Sequence, residues 1–366
     1  MSGVLTRLYR GETTFNFVGR RWWGFGLSLF LIVVTMLSLF TRGLNLGIDF
    51  EGGVAWEVPA TSITIEDVTA ILEANRVDTA DAKIQSLNGS DGSRIRVQVA
   101  EQTPEVKSAV QSALAEKAKV DVQDVSVSSV SSSWGRSITE KAVRALLIFF
   151  VLVSVFIAWR FEWKMALSAI LAMVHDVLIS VGVYSITGLA VTPATVIAFL
   201  TILGFSLYDT IVVFDKVHDN TARYAASRVS YADITNVSMN QVLMRSINTS
   251  LAAVLPVLSL LVLGSWVLGA VALEEFAIAL LVGLLLGAYS SIFVATPLLA
   301  QFKSRESKYA SLADEIHTGS EMARIAGSGK KTIQRVAATA QDSEREVVLA
   351  SSALTHPPRP RKKRRR

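Results

Sequence analysis

The sequence contains no cysteine and comparatively few charged residues. The absence of cysteine excludes disulfides, cysteine-ligated metal sites and thiol-based catalysis. Charged residues make up 18% of the 366 residues and apolar residues 51%, whereas a soluble protein of this length carries about 25% charged residues. Much of the chain is therefore expected to lie away from water. This composition favours a polytopic membrane protein with soluble appendages over an ordinary soluble enzyme.

The sequence also lacks the common motifs of nucleotide binding and hydrolysis. No G-x-G-x-x-G, P-loop, H-E-x-x-H or G-x-S-x-G motif is present. We therefore expect no enzymatic activity and no bound cofactor or metal, and any energy must come from a source other than a nucleotide held by such a motif. One enzymatic alternative stays open, because two intramembrane aspartates can share a proton as in an aspartyl protease.

Six hydrophobic segments are long enough to cross a membrane, which takes about 20 mostly apolar residues. They lie at about 22–40, 143–159, 165–187, 194–214, 248–268 and 276–300. The first predicts a retained anchor and not a signal peptide, because it is long and no small-residue cleavage pattern follows it. The predicted organisation is a segment 1–21, a membrane helix 22–40, an external domain 43–142, five further membrane helices within 143–302 and a tail 303–366.

The distribution of basic residues predicts the orientation of these helices. The N-terminal segment and the loops at 160–164 and 216–245 contain lysine or arginine, whereas the loops at 188–193 and 265–275 contain neither. Short cytoplasmic loops are enriched in basic residues. Both termini are therefore predicted to be cytoplasmic, with the domain 43–142 on the outer side of the membrane.

The segment 43–142 has the pattern of a small α/β domain. Alternating apolar residues predict half-buried strands, and capping patterns at Thr64 and at Thr103-Pro104 predict two helix starts. In order, the predicted elements are a strand within 48–58, a helix from about 64, strands at 82–87 and 94–99, a helix at 103–119 and a strand at 125–130. The order β-α-β-β-α-β is typical of a ferredoxin-like fold. The predicted fold class is thus a polytopic α-helical membrane protein with six transmembrane helices and one extracytoplasmic ferredoxin-like α+β domain.

After residue 302 the chain becomes polar, and basic residues are concentrated at its end. Seven of the last eight residues are lysine or arginine, and without them the net charge of +5 would be −2. The positive charge therefore belongs to the tail 303–366, which is predicted to be largely disordered, and not to a nucleic-acid-binding surface. Such a tail is expected to bind anionic lipid or the ribosome, or simply to remain solvated.

Ionisable side chains within the predicted membrane helices are the candidate functional residues, because each costs roughly 2.5–3.5 kcal/mol at the centre of a helix. They are His175 and Asp176 in helix 3, Asp209 and Asp215 in helix 4, and Arg245 at the start of helix 5. A rise of about 1.5 Å per residue places Asp209 about 8–12 Å above the cytoplasmic boundary and Asp176 about 16–18 Å above it. A long arginine can reach the level of Asp209, so Asp209 and Arg245 are predicted partners. A carboxylate that alternates between protonated and paired states suits a proton-coupled conformational cycle.

Each of these residues also has a purely structural interpretation. Asp215 fits a solvated charge at a helix end, Arg245 a positive-inside anchor and His175 a hydrogen-bonded packing residue. Structural hydrogen bonding alone is the corresponding alternative for Asp209. Small residues at 283, 287, 291 and 295 on helix 6 predict close helix packing and nothing more. The difference in depth between the two aspartates argues against a protease dyad.

Longer motifs occur at 47–53, which contains Gly47, Asp49, Gly52 and Gly53, and in the membrane segments 174–179, 192–195, 200–220 and 245–250. The first motif resembles the glycine-rich motif of the SecD/SecF family of Sec translocon accessory proteins, within the resistance–nodulation–division superfamily. The others resemble the SecF branch of that family. The resemblance covers about residues 12–302 in order, and an external region of about 100 residues also suits SecF because SecD has a much larger one.

The resemblance implies a non-enzymatic subunit of the protein-export machinery in the cytoplasmic membrane of a bacterium. Such a subunit would pair with SecD, work beside the SecYEG channel and use the proton gradient to pull or release a preprotein after the SecA ATPase has pushed it through. By position, Asp209 matches the proton-linked aspartate of the family and Arg245 its basic partner. Asp176 matches a His-Asp position, and Tyr208 stands where the family usually has asparagine. His175, Tyr208 and Asp215 are accessory candidates.

Two other functions share parts of this pattern. A related proton-driven exporter of lipids or drugs would share the fold and the aspartate, but such proteins usually carry twelve spans in one chain or larger external domains. A passive scaffold for the translocon would need no intramembrane carboxylate. Sodium stays an alternative to the proton, because a carboxylate and hydroxyls can ligate it. An exposed edge strand at 93–99 is predicted as one way to bind an extended polypeptide.

Overall fold

The elements of the structure follow the apolar and capping patterns of the chain. The computed structural model describes residues 4–9, 13–60, 62–80, 82–89, 92–225, 227–267, 271–313 and 315–327. In chain order its main elements are α1 (Val4–Tyr9), α2 (Arg21–Thr41), α3 (Ile48–Glu51), β1 (Gly53–Pro59), α4 (Ile65–Ala74), β2 (Lys83–Gly89), β3 (Gly92–Val99), α5 (Pro104–Ala118), β4 (Ser126–Val130), α6 (Ser132–Arg160), α7 (Trp163–Thr187), α8 (Pro193–Arg223), α9 (Tyr231–Leu260), α10 (Val271–Ser290) and α11 (Thr296–Ser304).

Within the described ranges, six helices are long and apolar enough to cross a membrane, which confirms the predicted number. Two of them extend well beyond the apolar segments, since α6 begins at Ser132 and α9 at Tyr231. In each case the preceding serine, Ser131 or Ser230, accepts a hydrogen bond from a backbone N–H of the first turn. This capping lets polar residues continue the helix, whereas hydropathy marks only the apolar part.

The predicted small-residue ridge packs α10 closely against α8. A Cβ atom at Gly283 would lie 2.2 Å from the side chain of Ile202, and one at Gly287 would lie 2.9 Å from Cβ of Ser206. After Ser290, helix α10 passes into a π-helical segment, Ser291–Ala295, and then into α11. The sixth membrane helix is therefore continuous, but near its middle it changes from an α-helix to a π-helix and back.

The external domain is built on a four-stranded antiparallel sheet in the order β2-β3-β1-β4. Trp56 at the centre of β1 pairs with Val97 of β3 and Val127 of β4. Its side chain is fully buried in one core with Leu72 of α4 and Leu114 of α5. Both helices cover the same face of the sheet, as predicted for the ferredoxin-like order of elements.

Two sequence predictions for this domain are wrong. Alternation predicts Ile48 and Phe50 within the first strand, but both lie in the short helix α3 and the strand begins at Gly53. Positive φ angles at Gly52 and Gly53, +79° and +128°, turn the chain between the two elements. The predicted edge strand at 93–99 is also wrong, because β3 is paired on both sides and the edges are β2 and β4.

The N-terminal segment lies across the end of the bundle remote from the external domain. The backbone N–H of Val18 donates to Asn236 Oδ1 at 3.0 Å, and that of Phe15 donates to Asn240 Oδ1 at 2.9 Å. Both asparagines are buried residues of α9. The N-terminal segment therefore supplies hydrogen-bond partners to two buried asparagines in the polar first half of α9.

Residues after the sixth membrane helix cover the same region. The backbone N–H and the ring nitrogen Nδ1 of His317 contact the two carboxylate oxygens of Asp233 at 2.7 and 2.6 Å, and Tyr309 and Met322 are buried. The prediction of a disordered tail from 303 is thus wrong for the described residues up to 327, because they pack against α9. Residues 328–366, with the basic run, lie outside the described residues.

Candidate functional site

Asp209 lies on α8 in the interior of the bundle, with 7% of its surface exposed. Its Oδ2 atom accepts a hydrogen bond of 2.8 Å from Ser246 Oγ on α9 and another from Ser291 Oγ on the π-helical segment. Hydroxyl donors from two neighbouring helices thus compensate the burial of this carboxylate. A proton on Asp209 would weaken both acceptor bonds and so alter the contacts among three helices.

Asp176 on α7 forms a second buried carboxylate site and is 1% exposed. Its Oδ2 atom accepts hydrogen bonds from Ser206 Oγ on α8 at 2.6 Å and from Ser290 Oγ on α10 at 2.7 Å. Its Oδ1 atom lies 3.0 Å from Nδ1 of His175. The two aspartates therefore use different serines, and none of the hydrogen bonds described for them joins one carboxyl to the other.

His175 connects Asp176 to the first membrane helix. Its Nε2 atom lies 3.0 Å from Ser28 Oγ, which lies 3.1 Å from the hydroxyl of Tyr289. That hydroxyl donates to the carbonyl of Gly24 at 2.8 Å. Every donor in this chain has an acceptor when Nε2 donates to Ser28 and Ser28 donates to Tyr289.

Two adjacent serines serve the two different carboxylates. Ser290 is the last residue of α10 and Ser291 the first of the π-helical segment. Adjacent residues of a helix point about 100° apart, so these two serines reach carboxylates on different neighbouring helices. Sequence reasoning missed both as hydrogen-bond donors, because Ser291 stands in the small-residue ridge that was interpreted as packing alone.

Arg245 does not form the predicted ion pair with Asp209 in this structure. Its Nη2 atom donates to the hydroxyl of Tyr208 at 3.2 Å, and both side chains are exposed on the outside of the bundle. The reason is the rotation of the two helices about their axes. Ser246 follows Arg245 and Tyr208 precedes Asp209, so the buried pair and the exposed pair lie next to each other on the same two helices.

Asp215 lies at the end of α8 remote from the external domain, away from both buried carboxylates. It forms an ion pair of 3.2 Å with Arg160, and about half of each side chain is exposed. An exposed pair of this kind contributes about 0–1 kcal/mol. This geometry fits the solvated helix-end interpretation of Asp215.

A small cavity lies beside Asp209 on the side facing α9 and α10. Its volume is about 20 Å³, and Ser206, Thr249 and Gly287 are among its lining residues. A space of this size holds about one water molecule, and the carboxylate and hydroxyls provide the partners that such a water needs. Asp209 is thus the ionisable residue in contact with this cavity.

The glycine-rich segment joins the external domain to the membrane helices. Gly47 caps α3 and donates its N–H to the carbonyl of Val191 at 2.9 Å, while Asp49 lies half-buried in the first turn. A Cβ atom at Gly52 would lie 2.5 Å from Cα of Ser132, and one at Gly53 would lie 2.2 Å from the carbonyl oxygen of Val99. Both positions therefore require glycine for close contact with the start of α6 and with β3.

An ion-pair cluster, missed by sequence reasoning, holds the sheet against the membrane helices. Arg96 of β3 donates to Glu57 of β1 at 2.7 Å and to Glu275 of α10 at 2.9 Å. Burial lowers the pKa of Arg96, but the charges of Glu275 and Glu57 and their hydrogen bonds outweigh this effect, so the pKa lies above its usual value. The sequence predicts a loop at Glu275, and because acidic residues are common in loops, no sequence pattern indicates its ion pair. Helix α10 thus contacts the external domain at one end and continues to Ser290 and Ser291 at the other.

Comparison with known proteins gives a consistent result. The family described as "Protein export membrane protein SecD/SecF, C-terminal" matches residues 109–305, and the "SecD/SecF GG Motif" matches residues 37–55. The chain is 40% identical over 311 residues to the protein translocase subunit SecF of Streptomyces coelicolor, covering 85% of this chain and 82% of that protein. It is 43% identical over 308 residues to SecF of Mycobacterium tuberculosis, covering 82% and 70% of the two chains.

A solved structure supports the same assignment. The crystal structure of SecDF, a translocon-associated membrane protein from Thermus thermophilus, matches with a TM-score of 0.72 and 32% identity. The match covers 81% of this chain and 39% of that one, so this chain spans about two fifths of that relative. The matched family, the relatives and the fold agree over most of the chain. The chain therefore belongs to the SecF family of protein export membrane proteins.

Proposed function

We propose that this protein is a subunit of the Sec export machinery that uses the proton motive force to complete preprotein translocation across the cytoplasmic membrane. The observation that carries the proposal is the buried carboxylate of Asp209, held by Ser246 and Ser291 from two other membrane helices. Placing an ionisable side chain inside a membrane helix costs free energy, so such a residue is expected to have a function. Proton binding and release there would repack the helices.

The available energy is sufficient for a two-state motor. One elementary charge that crosses a potential of 100 mV supplies about 2.3 kcal/mol. Fully coupled, this changes the ratio of two conformations roughly fifty-fold. The sixth membrane helix provides the connection, because it carries Ser291 at the proton site and Glu275 at the contact with Arg96. These two residues are about 24 Å apart at the usual rise of a helix.

Arg245 has a gating role in this proposal. Its side chain is exposed and donates a hydrogen bond to the hydroxyl of Tyr208. Ser246 is the next residue on α9. A rotation of α9 by about 100° would bring Arg245 to the carboxylate in place of Ser246, and the positive charge would favour the ionised form of Asp209. His175 and Asp176 would hold a second proton, while Asp215 would serve only the helix end. The resemblance of the motifs at 200–220 and 245–250 is the reason for proposing Asp209 and Arg245 as the central pair.

The proposed partners are SecD, the SecYEG channel and the translocating preprotein, with an indirect link to SecA. The fused SecDF relative, of which this chain matches 39%, supports association with SecD. Both termini would be cytoplasmic and the external domain would face the outer side, as the basic loops indicate. Membrane lipids surround the exposed apolar faces of α2 and α6, and the basic tail would contact anionic lipid or the ribosome.

The test is export of a signal-bearing preprotein from energised cells that carry Asp209→Asn. We expect loss of the gradient-stimulated part of export, with normal amounts of protein and normal pairing with SecD. Asp215→Asn is the matched control, because it makes the same change on the same helix in an exposed ion pair. Undiminished export with Asp209→Asn would contradict the proposal and favour a passive scaffold.

Two further outcomes distinguish the alternatives. Export that follows the sodium gradient and ignores the proton gradient would assign the site to sodium. Activity that persists without SecD and moves a lipid or drug would assign the chain to the related exporters. The proposed function predicts dependence on both SecD and protons.

A further inference from the structure

Ser290 and Ser291 each have two acceptors within reach of one hydroxyl. Ser290 Oγ lies 2.7 Å from Asp176 Oδ2 and 3.2 Å from the carbonyl oxygen of Gly287. Ser291 Oγ contacts Asp209 Oδ2 and lies 3.2 Å from the carbonyl oxygen of Ala288. A serine hydroxyl has one hydrogen, so each serine donates either to its carboxylate or to its own helix.

The protonation state of the carboxyl group decides which acceptor is used. An ionised carboxylate attracts the hydrogen, because a charge-assisted hydrogen bond is about twice as strong as a neutral one. A protonated carboxyl group has its own O–H, which can donate to the serine oxygen. The serine hydrogen then turns to the carbonyl of the preceding turn. Each proton bound thus reverses one hydrogen bond and breaks no covalent bond of the chain.

Three other hydroxyls in the membrane helices show the ordinary arrangement. Thr201, Thr249 and Ser259 each donate to the carbonyl four residues earlier on their own helix. Ser290 and Ser291 instead stand where the α-helix changes to a π-helical segment, whose first carbonyl accepts from Thr296 Oγ1 at 2.6 Å. Segments of this kind are rare within α-helices and are frequent at functional sites.

We propose that Ser290 and Ser291 are positioning residues that couple the protonation of Asp176 to that of Asp209. Because the two serines are consecutive, reversal of the hydrogen bond at one of them shifts the backbone of the segment that positions the other. The hydrogen bond from the second serine to the other carboxylate then weakens, and that carboxylate binds a proton more readily. Protonation of either aspartate therefore favours protonation of the other. The proposal rests on the proposed function only in assigning proton uptake to Asp209.

Direct electrostatics has the opposite sign, which makes the proposal testable. Loss of the negative charge of Asp176 by itself lowers the proton affinity of Asp209, because a nearby negative charge favours protonation. The other ionisable groups that face this region in the described chain are His175 on Asp176, Tyr289 on Ser28, and Arg245 on Tyr208. None of these contacts involves Ser290 or Ser291.

The experiment measures the protonation of Asp209 by infrared difference spectroscopy of the full chain in lipid nanodiscs. The carboxyl band is assigned by its loss in Asp209→Asn. Asp176→Asn mimics a protonated Asp176 and should raise the proton affinity of Asp209 about tenfold, as expected when a charge-assisted hydrogen bond weakens. The rise should disappear in the Ser290→Ala background and persist with Ser290→Thr, which keeps the hydroxyl.

Thr249→Ala is the control, because it removes a hydroxyl near Asp209 that donates only to its own helix. It should leave the effect of Asp176→Asn intact. A lowered or unchanged proton affinity of Asp209 in Asp176→Asn would overturn the coupling, whatever the export assay shows. Conversely, normal export with Asp209→Asn would refute the proposed function and leave the coupling of the two carboxyl groups standing.

Discussion

The ion pair between Arg96 and Glu275 yields a quantitative prediction about how the external domain is held. Its N–O distance is 2.9 Å, and the two side chains are 12% and 6% exposed. Hydrogen bonds to charged groups contribute about 1.5–3 kcal/mol and neutral ones about 0.5–1.5 kcal/mol. Glu275→Gln keeps the shape and removes the charge, so it should cost about 1–1.5 kcal/mol. The undocked fraction should rise roughly 5- to 13-fold.

The effect is limited because other contacts remain. Glu57 still binds Arg96 at 2.7 Å, and Gln85 donates to the carbonyl of Gly188 at 2.7 Å. The domain should therefore loosen without detaching. A larger change would mean that the ion pair carries more of the contact than its geometry indicates.

The assay is a distance measurement by double electron–electron resonance. Because the chain has no cysteine, spin labels can be attached at cysteines introduced at two exposed positions, Glu73 on α4 and Thr187 at the end of α7. Glu140→Gln is the control, since its pair with Arg144 is about two-thirds exposed on both sides and contributes about 0.3–0.5 kcal/mol. Equal distance distributions for Glu275→Gln and Glu140→Gln would refute the reasoning.

Two other predictions concern packing and pH. Gly135→Ala should lower the free energy of unfolding in detergent by about 1–3 kcal/mol. The reason is that its Cβ atom would lie 2.7 Å from the backbone carbonyl oxygen of Phe50. Gly26→Ala on α2 is the control and should have no such effect, because its Cβ atom would have nothing within 4 Å. The hydrogen bond that His317 donates to the carboxylate of Asp233, together with the negative charge of that carboxylate, raises the pKa of His317 above its usual 6.5. The protonated form stabilises the packed segment 315–327, so this stabilisation is fully present below about pH 6.5 and is lost as the pH rises through the raised pKa. Hydrogen exchange of these amides should accelerate over that range beyond the intrinsic rate, and His317→Gln should abolish the extra pH dependence.

Features that depend on neighbouring residues were predictable from the sequence. Thr64 forms the expected capping box with Asp67, and Pro104 occupies the first turn of α5. The six membrane helices and the ferredoxin-like order depend in the same way on patterns within one element. Such patterns carry their own physical cause, because capping and periodic burial act over a few residues.

The contacts of the buried site depend on how helices rotate against each other. Depth along the membrane correctly places Arg245 near the level of Asp209, but a shift of one residue puts Ser246 at the carboxylate and Arg245 outside. The role of Glu275 was equally hidden, because its partner Arg96 is far away in the chain and in another domain. Tertiary packing decides both contacts, and no local pattern records it.

The hydrogen bonds of the N-terminal segment set an order for the biogenesis of the protein. Phe15 and Asn240 are 225 positions apart, and a ribosome adds about 5–20 residues per second, so roughly 10–45 s pass between their synthesis. During that interval the N–H groups of Phe15 and Val18 have no partner on α9 and must bind water or other groups. The contact between Asp233 and His317 forms later still, since another 84 positions separate them. The contacts at this end of the bundle are therefore complete only after nearly all of its membrane helices have left the ribosome.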